Sequence, residues 1–167
     1  MDATDLREIQ APLKKRYLDE PEAARVESRA EGVIEDGISV AVPGWAGTTR
    51  AGLHEATGGD GTHACSADML LEALVACAGV TLKSVATAME VSLGRAVVRA
   101  SGTWDARGTL GVSRDAPVGL TDIELAFDLD PDLPPETRRK LIELTERYCV
   151  IYQTLRSSPE MRTATGA

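Results

Sequence analysis

Ser66–Glu90, SADMLLEALVACAGVTLKSVATAME, is the stretch whose reading decides the fold. From Ala67 it is apolar almost all round at helical spacing, through Leu70, Leu71, Leu74, Val75, Ala78, Val80, Leu82 and Val85. A helix with so little polar surface belongs inside a core or a subunit interface. Ser66 is the expected N-cap, and Asp68 lies in the first turn, where a carboxylate meets the positive end of the helix dipole. Gly79 costs about 1 kcal/mol relative to alanine in a helix interior, which predicts a close backbone approach beside Cys77.

Working outward, Thr57–Thr62 (TGGDGT) precedes this helix. A glycine-rich loop before a helix can cradle phosphate, but this one lacks the P-loop Lys-Ser/Thr and the GxGxxG spacing, and Asp60 would repel an anion. A turn is expected. Upstream, Arg25–Val33 and Ile38–Val42 read as strands joined at Glu35-Asp36-Gly37, and Thr48–His54 as a third strand. Residues 4–20 form an amphipathic helix around Leu6, Ile9, Leu13 and Tyr17, interrupted at Pro12 and ended before Pro21. Downstream, strand signals return at Arg95–Asp105, Thr109–Ser113 and Leu120–Leu129. A second long helix follows Pro134-Pro135 and includes RRKLIELTERYCVIYQTLR, Arg138–Arg156. Strands, a buried helix, strands and a helix make an α+β fold rather than alternating βαβ units.

Only 4% of the 167 residues are aromatic, against 43% hydrophobic overall, so the core must be built from small aliphatic side chains. These bury little area each, and a second subunit is the expected source of more. The formal charge of -8 repels phosphate backbones, which argues against a nucleic-acid partner. Glu72, Lys83 and Ser84 interrupt the most apolar stretch, so no membrane span is expected. MDATDLREIQ carries no signal-peptide pattern, and a cytoplasmic location is expected.

Three cysteines, Cys65, Cys77 and Cys149, in a reducing compartment leave three roles: reactive thiols, metal ligands or packing. Metal is the weakest, since there is no CxxC spacing and the only histidines are His54 and His63. Cys77 and Cys149 lie at the centres of the two helical stretches, where a thiol is ordinarily inert filler but two can form a redox pair. Cys65 stands just before the first helix, about 18 Å from Cys77 along it, too far for a bridge within one chain.

The combination GGDGTHACSADMLLEALVACAGVTL with a second cysteine in RYCVIYQTLR resembles the OsmC/Ohr family (osmotically inducible protein C and organic hydroperoxide resistance protein), over roughly residues 24–160. The resemblance implies an intertwined homodimer with long central helices wrapped by antiparallel sheets and a site at the subunit interface. It implies residues 24–167 as the OsmC-like domain behind an N-terminal helical extension, residues 1–23. It also implies a thiol peroxidase in which Cys77 attacks the hydroperoxide and Cys149 resolves the product. No cofactor is implied, only an external dithiol reductant, lipoyl-type or other. The alternative is a non-enzymatic dimeric relative that senses redox state or binds a small molecule.

Peroxide reduction requires a thiolate, so the Cys77 pKa must fall below about 8.5. Eleven residues into its helix Cys77 gains little from that dipole, and a cation is expected to help. Arg50 is the first candidate and Arg147 the second. The organic hydroperoxide branch carries an acid upstream of the attacking cysteine, where this chain has Ala67. Glu72 and Asp68 are the nearest carboxylates, about 140° and 180° from Cys77 around a regular helix, and are expected to compensate the dipole or form a structural ion pair. Where the family often has proline after the second cysteine, this chain has Val150, so a helix running through Cys149 is expected. Leu74, Val80 and Tyr152 are expected to shape the pocket.

Overall fold

The structure, a computed structural model, describes residues 1–165. It is α+β, with six strands, β1 (Val33–Glu35), β2 (Ser39–Gly44), β3 (Gly47–Gly52), β4 (Ala64–Cys65), β5 (Val97–Thr103) and β6 (Thr121–Asp128). The α-helices are α1 (Ala3–Asp19), α2 (Ser66–Ala88), a single turn α3 (Ala106–Thr109), α4 (Pro135–Tyr148) and α5 (Val150–Arg156). One sheet has the order β1-β2-β3-β4, and a second pairs β5 with β6 antiparallel.

The β1–β2 hairpin turns at Gly37, whose φ of 81° suits a residue without a Cβ. Antiparallel β3 follows β2, and β4 then joins β3 in parallel through Ala51↔Ala64 and Gly52↔Cys65. That short parallel pairing delivers the chain to the start of α2. The glycine-rich loop is a turn, as expected: Gly58 has φ 93°, and a Cβ on Gly59 would collide with the Leu53 carbonyl.

Leu74, Ala78, Leu82, Val85 and Ala86 recur at helical spacing and bury one face of α2 against β5, α4 and α5. On α4, Leu141 and Thr145 are fully buried, and the next residue in the same row is Cys149. Leu141 closes one cluster with Leu82, Val85, Ala86, Leu93 and Leu129. Leu141→Ala is expected to cost 2–5 kcal/mol, read as a lower urea midpoint at unchanged slope.

Several expectations need correction. The α1 helix runs continuously through Pro12, because the carbonyl that loses its donor there lies on an exposed surface and can bond water. Residues 25–32 form no strand, and pairing starts only at Val33↔Ala41. Thr109–Ser113 is not a strand either: Asp105 caps the α3 turn through the Arg107 N–H, and Gly111 closes it with φ 68°. Ser66 is already helical, with Cys65 in the N-cap position and no side-chain cap. Nothing within the chain approaches a Cβ built on Gly79.

By length and composition alone α2 passes for a membrane span, with mean hydropathy 1.7 over its most apolar window. In the fold its two faces differ. Opposite the packed face, Leu70 (39% exposed) and Val80 (73% exposed) continue with Ala73 and Ala76 as an uncovered apolar stripe. The β1–β3 strands likewise leave Val33, Ile34 and Ile38 exposed, and Trp45 beside them. The chain exposes 12518 Å², whereas a compact monomer of 17.7 kDa exposes about 7,900 Å². The excess, about 4,600 Å², is surface that one copy does not bury.

Candidate active site

The helix expected to run through Cys149 is broken there. Cys149 adopts extended backbone angles, φ -75° and ψ 110°, ending α4 and capping α5. Its N–H donates to the Thr145 carbonyl at 2.9 Å, the last bond of α4, and its carbonyl accepts from the Gln153 N–H at 3.0 Å, the first of α5. The Gln153 side chain spans the break, its Nε2 donating to the Glu146 carbonyl at 2.8 Å.

A helix start leaves its first N–H groups without intrahelical acceptors. On α5 these belong to Val150, Ile151 and Tyr152. The Tyr152 N–H donates to Cys149 Sγ at 3.4 Å, while the Val150 and Ile151 N–H groups favour the charged form of the Cys77 thiol.

Cys77 and Cys149 share one cluster with Leu74 and Ala78. Both are free thiols, Cys77 half-buried and Cys149 fully buried. Burial pushes the Cys77 thiol up, but the Ile151 N–H, the Cys149 thiol, the Val150 N–H and the Thr81 hydroxyl outweigh it and bring the Cys77 pKa below the ordinary thiol value. Burial pushes Cys149 up, and its hydrogen bond and charge interaction with Cys77 push it further, only partly offset by the Tyr152 and Ile151 N–H groups. Their surroundings thus separate the two thiols: Cys77 is favoured as thiolate and Cys149 as thiol.

The expected cation is not among the groups that act on Cys77 in this chain. Arg50 lies on β3 and pairs with Glu35 across the sheet, Nε to Oε2 at 3.0 Å. Arg147 is exposed on the outside of the break, its guanidinium 5.4 Å from the Tyr148 ring. Asp68 and Glu72 sit on the regular first turns of α2, both exposed, and the helix turns them away from Cys77. Cys65 is half-buried on β4, just ahead of α2, whereas Cys77 lies midway along that helix. Among the described residues no group of His, Cys, Asp or Glu could hold a metal ion.

Sequence reasoning missed the amide donors of Val150 and Ile151 and the Thr81 hydroxyl. Thr81 was legible at four residues from Cys77, one turn along the same face. The amides were not, because they depend on the break. A cavity of about 260 Å³ beside the pair is lined by Leu74, Ile123, Leu125, Tyr152, Leu155 and Arg156. It includes two of the three expected pocket residues, while Val80 lies on the uncovered stripe.

The chain is similar in structure to an OsmC-like protein from Mycoplasma pneumoniae, with a TM-score of 0.66 and 16% identity over 80% of this chain and 89% of that one. It is also similar to an organic hydroperoxide resistance protein from Elizabethkingia anophelis, with a TM-score of 0.64 and 17% identity over 80% and 92%. The organic hydroperoxide resistance protein OhrB of Bacillus subtilis aligns with a TM-score of 0.52 and 16% identity over 78% and 93%. At these identities the likeness is one of fold. No curated protein matches the sequence. The sequence model of OsmC-like proteins matches residues 59–164, a span that holds α2, the break at Cys149 and both thiols, and the chain belongs to that family.

Proposed function

We propose that this protein is a thiol-dependent peroxidase that reduces organic or small hydroperoxides. The observation that carries the reading is that two free thiols, Cys77 and Cys149, share one packed cluster, with surroundings that favour Cys77 as thiolate and Cys149 as thiol. Relatives of the same fold that are named organic hydroperoxide resistance proteins support it. The Cys77 thiolate attacks the hydroperoxide and the O–O bond breaks; one oxygen stays on sulfur as sulfenic acid, and the other leaves, with a proton, as the alcohol or water. Cys149 then attacks the sulfenic sulfur and water departs, leaving a Cys77–Cys149 disulfide. An external dithiol returns both thiols in a reducing, cytoplasmic setting, and no bound cofactor takes part. The apolar cavity beside the pair accepts the organic part of the substrate.

Catalytic turnover of a hydroperoxide with a small dithiol tests the proposal. Oxidation of the pair without turnover would favour the alternative, a redox-sensing or small-molecule-binding relative.

The site completes itself in a homodimer. Cys77 lies at the seam between the packed face of α2 and the uncovered stripe of Leu70, Ala73, Ala76 and Val80, so a partner covering that stripe also shields the sulfur. Sedimentation at micromolar concentration is expected to show a dimer, with more than about 2,000 Å² buried. A monomer would overturn both the assembly and the shared site.

A further inference from the structure

We propose that Thr81 is a hydrogen-bond donor to the reacting sulfur of Cys77, and that its hydroxyl tunes the reactivity of this thiol. Thr81 lies one turn beyond Cys77 on uninterrupted α2, about 40° away around the axis. Side chains on a helix lean toward its N-terminus, so Thr81 leans over the turn that carries Cys77. It is half-buried.

The other threonines in helix interiors show what is unusual here. Thr87, Thr145 and Thr154 each donate to the carbonyl four residues back, Lys83 at 2.8 Å, Leu141 at 2.7 Å and Val150 at 2.8 Å. That bond is the ordinary resting place of a helical threonine proton. Thr81 makes no such bond to the Cys77 carbonyl, and its hydroxyl is among the groups that hold the Cys77 thiol toward its charged form. With the Val150 and Ile151 amides arriving from α5, the sulfur receives donors from both helices. No proton leaves Thr81 in this role; it stabilises the thiolate before attack.

The inference deepens the proposed function, since it takes Cys77 as the attacking thiol, but its test needs no hydroperoxide. Reduced full-length protein is treated with iodoacetamide across a pH series, and labelling of the Cys77 peptide is followed by mass spectrometry. Thr81→Val keeps the shape and removes the hydroxyl; Thr81→Ser keeps the hydroxyl. For Thr81→Val the pH midpoint of labelling is expected to move upward. Its rate at pH 7 should fall about threefold or more, with the high-pH plateau preserved or slightly raised, as charge-assisted bonds and thiolate nucleophilicity require. Thr81→Ser is expected to keep the wild-type midpoint. An unmoved midpoint in Thr81→Val overturns the proposal, as does a loss at every pH without a shift, which marks a purely structural role. Equal shifts in both variants also overturn it. Thr81→Ala replaces Thr81→Val if circular dichroism shows that the valine variant is unfolded. A shifted midpoint in a protein that turns over no hydroperoxide would leave Thr81 in place and remove the peroxidase reading alone.

Discussion

Cys77→Ser is expected to reduce dithiol-dependent hydroperoxide consumption to background while leaving the fold and assembly intact. A hydroxyl in the same place is nearly isosteric, but at neutral pH it is protonated and has almost no nucleophilic form, whereas the thiol of Cys77 is shifted toward thiolate. Cys77 is half-buried at the edge of its cluster, so the stability change is expected to stay within about 1 kcal/mol. Circular dichroism and sedimentation then separate loss of chemistry from loss of structure. Retained activity in this variant would move the reaction to Cys65 or remove it altogether. Cys65 is a poor substitute: twelve residues of helix hold it about 18 Å from Cys77, beyond any disulfide with it in the same chain.

The parts of this arrangement that were legible in the sequence are those written in periodicity and turn chemistry. The α2 helix follows from its apolar rows, the β1–β2 hairpin from Glu35-Asp36-Gly37, and the β5–β6 pair from two alternating runs. Both cysteines were visible as the odd residues in two helical patterns. The break at Cys149 was not, since neither glycine nor proline marks it and Val150 continues the apolar pattern. Tertiary contacts make it: Cys149 is the third member of the buried row Leu141, Thr145, Cys149, and its sulfur accepts the Tyr152 N–H while Gln153 holds the Glu146 carbonyl. Expecting a continuous helix hid the second helix start, and with it the source of the low Cys77 pKa. A cation was therefore expected where this chain also brings backbone amides to bear on the thiol. The Thr109–Ser113 strand was misread for the opposite reason. Thr109 and Leu110 lie between Asp105, which caps a turn, and Gly111, which closes it, and the Val112 N–H bonds back to the Arg107 carbonyl at 2.9 Å, so this local chemistry outweighed propensity. The Glu35–Arg50 pair spans two strands on one sheet face, a proximity that only the register creates.

The second large effect concerns Cys149, and it distinguishes a two-cysteine cycle from a single oxidisable thiol. After a stoichiometric hydroperoxide pulse, tryptic peptides of the wild-type protein are expected to contain a Cys77–Cys149 crosslink. In Cys149→Ser the same pulse is expected to leave Cys77 as sulfenic acid, passing to sulfinic acid as peroxide rises, because no neighbouring thiol captures the first product. The break makes this capture sterically reasonable. A cysteine inside a continuous α-helix would carry its neighbours with it, whereas Cys149 is already extended between α4 and α5. A disulfide requires the two Cα atoms to come within about 4.4–6.8 Å, and rotation at this extended residue need not carry a continuous helix with it. The raised pKa of Cys149 fits the same sequence of events: burial first, and then its interaction with Cys77, keep it a thiol while Cys77 is charged, and the charge part of that interaction is lost once Cys77 has become sulfenic acid. A small dithiol must then reduce the bond, or the protein stops after one turnover. Over-oxidised Cys77 without a crosslink in the wild type would overturn the two-cysteine mechanism while leaving the fold and the family untouched.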